Sequence, residues 1–150
     1  MVTFRSRAHG IKIAYPSDAA LILKRFEGKR QEHFIALTLD AAHEVITGYV
    51  VTLGIANRTI VHPREVFYPA IKDNATAIIV AHNHPSGNCE PSLEDRNVTK
   101  RLYDAGRLLG IEVLDSLIVG ENGGYYSFLE RGEFPAENSA SPQASTGQKA

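Results

Sequence analysis

Two histidines, His82 and His84, follow the apolar run Ala75-Thr76-Ala77-Ile78-Ile79-Val80-Ala81 and precede Pro85-Ser86-Gly87-Asn88-Cys89-Glu90-Pro91 and then Ser92-Leu93-Glu94-Asp95. An apolar run bounded by turn residues suits a buried strand, and residues two apart on an extended chain share a face. The two imidazoles therefore point the same way. Pro85, Gly87 and Pro91 turn the chain, and Ser92 opens a helical pattern that brings Asp95 back beside them. Two ring nitrogens and one carboxylate oxygen leave a fourth zinc position for water, the donor set of a catalytic rather than a structural site.

Amide hydrolysis at such a site needs more than the metal, which polarises a carbonyl and lowers the pKa of its water. A base must take that water's proton, and a donor must meet the developing oxyanion. Glu32 suits the base because it opens the strand pattern Glu32 to Leu39 and can face the end of the neighbouring strand. Glu44, Glu65, Glu90 and Glu94 compete with it on residue type alone. Ser92, within a turn of Asp95, suits the donor. The same Ser92-x-x-Asp95 also reads as a capping box, whose side chains satisfy free backbone N–H groups at a helix start. Ser92 can do both, whereas capping draws on the Asp95 lone pairs that a metal needs; ligation is the favoured reading. Cys89 stands alone in a loop and reads as incidental, His62 as a helix start and His43 as a turn residue. Arg64 and Asn83 either shape the pocket or pack the loop.

The elements around these residues follow from periodicity. Residues 1–15 are mixed, with a short strand expected around Lys12 to Tyr15. Pro16-Ser17-Asp18 starts a helix that ends near Gly28. His33 to Leu39 and Glu44 to Leu53 form a hairpin across Asp40-Ala41-Ala42-His43. Gly54 to Thr59 is a loop, and His62-Pro63-Arg64-Glu65 starts a second helix, with Pro63 suited to its first position. Val98, Leu102, Ala105 and Leu109 line one face of a third helix that Gly110 stops. Ile111 to Val119 and Tyr125 to Phe128 are the last strands. This order predicts an α/β or α+β sheet with helices on its faces and the metal loop at a strand's carboxyl end.

At 150 residues, with 43% hydrophobic residues and a net charge of -1, the chain has the make-up of one ordinary globular domain. Net charge gives nucleic-acid binding no support. Local basic groups do exist, at Arg5, Arg7 and Lys12 and at Lys24, Arg25, Lys29 and Arg30. A single cysteine excludes an intrachain disulfide framework and thiolate-rich zinc modules and fits a reducing compartment. No apolar run reaches the length of a membrane span and no secretory signal is visible, so a cytoplasmic location is expected. The Ser-, Ala-, Gln- and Pro-containing tail from Glu133 predicts disorder.

His82-x-His84-Pro85 with Ser92-x-x-Asp95 resembles the signature of the JAMM (MPN-plus, or JAB) metalloproteases. The wording His-Asn-His-Pro-Ser-Gly resembles the bacterial RadC branch. The likeness extends to Gln31-Glu32-His33-Phe34, Leu37-x-Leu39-Asp40, His62-Pro63-Arg64-Glu65-Val66-Phe67, Asn74-Ala75, Leu114-Asp115, Ile118-Val119-Gly120 and Ser127-Phe128. It covers residues 28–132 as a RadC-like JAMM/MPN domain, leaving an amino-terminal extension and helix over 1–27 and the expected disordered tail over 133–150. The implied fold is the cytidine-deaminase-like JAMM/MPN fold, a mixed sheet flanked by helices. The implied site has Zn2+ held by His82, His84 and Asp95, Glu32 as general base and Ser92 assisting the tetrahedral intermediate. A peptidase or isopeptidase acting on a peptide or protein substrate is the implied activity. RadC proteins are customarily labelled DNA repair proteins, so an accessory protein of DNA repair with a structural or vestigial zinc site is the alternative, and a binder of peptide tails is a third.

Two departures from the pattern bear on this reading. Ser116 follows Asp115 where RadC-like sequences usually carry histidine. The chain is also expected to lack the amino-terminal region of helix-hairpin-helix character found in longer RadC proteins, so no DNA binding is carried over through it. HNH nucleases spread their site over a ββα unit, and zinc deaminases need a Pro-Cys-x-x-Cys element that is absent here. Oligomeric state has no sequence signal.

Overall fold

The computed structural model describes residues 2–4, 8–54 and 61–134. Its strands are β1 (Val2–Thr3), β2 (His33–Leu39), β3 (Val45–Leu53), β4 (Ala77–Asn83), β5 (Glu112–Val119) and β6 (Tyr125–Ser127). Its helices are α1 (Pro16–Leu23), continued by a 3-10 turn at Lys24–Phe26, α2 (Pro63–Lys72) and α3 (Leu93–Leu109). The strands form one six-stranded sheet in the order β1-β3-β2-β4-β5-β6. Every neighbouring pair is antiparallel except β4 and β5, which are parallel and joined through α3.

The two central strands are buried on both sides, and their alternation feeds two cores. Ile35, Leu37 and Leu39 of β2 with Ala77, Ile79 and Ala81 of β4 face Ala19, Leu23 and Phe26 of the α1 segment. Phe34, Ala36, Ile78 and Val80 face the other way, onto Val66, Phe67 and Ala70 of α2 and Leu102 and Tyr103 of α3. This is the mixed α+β sheet with helices on its faces that the sequence predicts. The segment before residue 28, expected as an extension, supplies Phe4, Ala8, Ile13, Ala19, Leu23 and Phe26 to the first core.

Local chemistry sets the element ends. Asp18 reaches back to accept the N–H groups of Ala14 and Tyr15, both at 2.9 Å, while Pro16 occupies the first turn of α1. Asp40 accepts the N–H groups of Ala42 and Glu44 at 2.9 Å and so folds the β2–β3 turn, where His43 takes a positive φ of 62°. Gly110, at φ 76°, ends α3 in the left-handed conformation. The strand expected around Lys12 to Tyr15 is reduced to one bridge, Lys12 opposite Glu44. Pro16 starts a helix too soon for the ladder to continue. Residues 55–60, which include most of the loop expected over Gly54 to Thr59, lie outside the described residues, as do 135–150 of the expected disordered tail. Glu133 and Phe134 are described: Glu133 pairs with Arg96 at 2.8 Å and the Phe134 ring meets Tyr103 edge-on.

α3 seats tightly on the sheet at Gly106. A Cβ there would meet the Ile111 carbonyl oxygen at 2.4 Å and the Phe67 ring at 3.3 Å. Gly106→Ala gains about 1 kcal/mol of helix propensity but must move backbone, and overpacking costs about 1–3 kcal/mol. The clash is with main chain rather than a flexible side chain, so the substitution is expected to lower stability by about 1 kcal/mol net. Urea unfolding followed by circular dichroism checks this.

Candidate metal centre

β4 delivers His82, and the turn just beyond it delivers His84. His82 continues the Ile78–Val80 face toward α3, is 4% exposed, and stacks on Phe34 with parallel rings 5.9 Å apart. His84 lies past the strand end, where its Nδ1 is 2.6 Å from the Asn88 carbonyl oxygen. Only a protonated Nδ1 can bond a carbonyl, so the neutral ring presents a bare Nε2 toward His82 and Asp95.

Asp95 comes from the first turn of α3. Ser92 is the residue before the helix, and the two form the capping box: the Ser92 hydroxyl accepts the Asp95 N–H at 3.1 Å and Asp95 Oδ2 accepts the Ser92 N–H at 2.8 Å. The same carboxylate faces both imidazoles, with Oδ1 3.1 Å from His82 Nε2 and Oδ2 3.1 Å from His84 Nε2. Capping and convergence therefore coexist: the cap uses Oδ2 and leaves the His82-facing Oδ1 unshared. The two Nε2 atoms are 3.2 Å apart. One donor atom from each of His82, His84 and Asp95 lies within 4.8 Å of the others, a group that can hold a metal ion.

The donor set fits zinc in distance as well as in type. Ligands about 2.0–2.1 Å from a tetrahedral ion stand roughly 3.3 Å from one another, close to the observed 3.1–3.2 Å separations. Two ring nitrogens 3.2 Å apart, each 3.1 Å from an Asp95 oxygen, must have a proton or a cation between them. Without metal, Asp95 favours a proton on the His84 ring. The Asp95 hydrogen bond is the largest influence on His84 and raises its pKa against the opposing effect of burial, with Asn88, the Asp95 charge and the Glu32 charge assisting. Burial alone would raise the Asp95 pKa, but its hydrogen bonds to His82 and His84 outweigh that and hold it far below the usual carboxylate range.

Glu32 is half-buried, one residue before β2. The β2–β4 register sets Phe34 opposite His82, which brings Glu32 to the same edge as His84, and its charge is among those acting on the His84 ring. Among its rivals, Glu44 sits by the β2–β3 turn, at the other end of the sheet. Glu65 lies in the first turn of α2, and Glu90 and Glu94 are exposed around the start of α3. Cys89 packs against the Ile118, Tyr126 and Phe128 cluster, and burial pushes its thiol pKa up. His62 is the residue preceding α2. Ser116 is 3% exposed and takes part in a 3.0 Å hydrogen bond with Thr99, one helical turn past Asp95, so it ties α3 to β5 behind the site.

A mixed sheet with helices on both faces, carrying a His-His-Asp cluster where a central strand meets α3, is the architecture of the JAB/MPN class. A family model, the RadC-like JAB domain, matches residues 13–133, and the chain belongs to that family. It is 47% identical over 121 residues to a UPF0758 protein of Rubrobacter xylanophilus, covering 80% of this chain and 52% of the relative. A UPF0758 protein of Methanospirillum hungatei is 52% identical over 110 residues, 73% of this chain and 46% of the relative. A third, of Alkaliphilus metalliredigens, is 46% identical over 131 residues, 87% and 56% respectively. The chain thus spans about half the length of the curated relatives it matches. No helix among the described residues is long and apolar enough to cross a membrane.

The shifted pKa values set how the metal-free centre responds to pH. His84, raised above 6.5, contributes stability that is complete below that value and is lost as pH rises through its folded pKa. Asp95, depressed below 3.8, contributes stability present above that value and lost as pH falls toward its folded pKa. The metal-free pair therefore stabilises most between those two ordinary values. Metal must displace the His84 proton, so zinc affinity measured by chelator competition is expected to rise, with proton release, from about pH 6 to pH 8. A flat profile would show that His84 is not a ligand.

Proposed function

We propose that this protein is a zinc-dependent hydrolase of JAMM type, a peptidase or isopeptidase acting on a peptide or protein substrate. The observation that carries the reading is the convergence of His82, His84 and Asp95 at 3.1–3.2 Å, a spacing and donor set suited to a tetrahedral ion with one position left for water. A zinc ion held there would polarise the scissile carbonyl and acidify the attacking water. Glu32, at the same edge of the sheet, accepts the proton from that water and returns it to the leaving amine. The Ser92 hydroxyl accepts the Asp95 N–H, which leaves its own proton free to donate to the developing oxyanion. A purely structural site has no use for an open position beside a carboxylate and a free hydroxyl.

The test is turnover of a fluorescence-quenched peptide pool by the chain with and without zinc. His82→Ala is expected to lose both metal and cleavage. Glu32→Gln is expected to retain zinc, by elemental analysis, and to lose cleavage by roughly 10²–10⁴-fold, the usual worth of a general base. Undiminished cleavage by zinc-loaded Glu32→Gln would rule out Glu32 as the base.

A further inference from the structure

Asn83 stands between the two histidines but faces the other way. It is 1% exposed, and every polar atom of its side chain is used. Its Oδ1 accepts the His33 N–H at 2.6 Å, and its Nδ2 donates to the Gln31 carbonyl at 3.0 Å and to the Lys29 carbonyl at 3.4 Å. A flipped amide would set oxygen against two carbonyls and an NH2 group against an N–H, so the partners dictate its orientation. The three bonds bracket Glu32, taking the backbone group before it and the one after it. The Glu32 carbonyl is itself taken by the Gly54 N–H at 2.7 Å.

This bracket lies where β2 loses β4 as a ladder partner, while on its other side His33 still pairs with Leu53 of β3. The β2–β4 ladder pairs Phe34 with His82 and goes no further. Beyond that pair, the backbone of residues 29–33 has no strand to hold it against β4, and the Asn83 amide supplies the missing acceptor and donors. Alternation along β4 makes the arrangement possible: His82 shares the face of Val80 and Ile78, while Asn83 shares that of Ala81 and Ile79. One residue of β4 thus aims a ligand at α3 and the next fixes the segment that carries Glu32.

We propose that Asn83 is a positioning residue, whose buried amide holds the Glu32 carboxylate in register with the metal centre from the opposite face of the sheet. The proposal deepens the hydrolase reading and rests on Glu32 being the proton acceptor. It assigns Asn83 to the geometry of the base, not to metal binding, and the two roles separate experimentally.

The test compares the full chain with Asn83→Ala, and with Asn83→Asp in case the alanine variant does not fold. Asn83→Asp keeps the acceptor for His33 but turns a carboxylate on the Gln31 and Lys29 carbonyls. Amide hydrogen exchange on the metal-free chain is expected to show the His33 N–H at least 10-fold less protected in Asn83→Ala, with the β2 amides from Ile35 to Leu37 unchanged. Zinc affinity is expected to stay within about 3-fold, while turnover of the quenched peptide pool falls about 10–100-fold, as for a misplaced catalytic group. In the double variant Asn83→Ala/Glu32→Gln, turnover is expected to be no lower than in Glu32→Gln alone, because both changes disable one group. Unchanged His33 exchange, or a loss that adds in full to that of Glu32→Gln, overturns the proposal. Absence of turnover by the zinc-loaded unsubstituted chain counts instead against the hydrolase reading, and the exchange measurement still decides the Asn83 bracket.

Discussion

The pairing of β2 with β4, with Phe34 opposite His82, is the constraint on which the rest of the molecule depends. Both strands are buried on both faces, so each residue is committed to one of two cores. Slipping the register by one would turn Ile35, Leu37 and Leu39 out of the α1 core and Phe34 and Ala36 out of the α2–α3 core. The apolar surface at stake is large: a fully buried side chain of this size contributes about 1.5–3 kcal/mol. The polar residues at the strand ends inherit this precision without contributing much to it. His82 looks at α3, Asn83 looks at residues 29–33, and Glu32 arrives at the His84 edge because hydrophobic packing several residues away leaves no other register.

The helix that follows the metal loop is held by the same economy of atoms. Asp95 closes the capping box with Ser92 and faces both imidazoles, so the interactions that begin α3 also orient the carboxylate. Farther along, the Thr99–Ser116 hydrogen bond and the close seat of Gly106 on Ile111 fix the helix against β5. Ser116 is thus a small hydroxyl that ties helix to strand. The site is built from rigid elements rather than from loops alone, which suits a centre whose donor atoms must hold separations near 3.2 Å.

Much of this was legible without coordinates. The His82, His84 and Asp95 set follows from period-two geometry on a strand and a helix start at Ser92, and the hairpin and the helix boundaries at Pro63 and Gly110 carry local signals. Other features had none. β1 is two residues long, too short for a periodic pattern, and its place on β3 is a tertiary fact. Lys12 to Tyr15 reads as a strand but yields a single bridge, because Pro16 begins a helix at once. Which sheet face Ala19 and Phe26 would cover was equally hidden, since a helical stripe in the sequence does not say against which face it packs.

What the sequence alone determined is the chemistry available: two imidazoles and a carboxylate at a spacing that a strand, a tight loop and a capped helix bring together. Residue type and local period suffice because those elements are defined over a few neighbouring residues. The resemblance already singles out Glu32 among the carboxylates; the tertiary structure adds that it reaches the same edge as that group, and what holds it there. Glu32, Glu44, Glu65, Glu90 and Glu94 are equivalent as residue types. Strand register separates Glu32 from Glu44, and the places of Glu65 in α2 and of exposed Glu90 and Glu94 around the start of α3 separate the rest. The same holds for Asn83, whose amide looks like loop packing in the sequence and whose partners at Lys29, Gln31 and His33 are brought to it by the placement of β2 between β3 and β4.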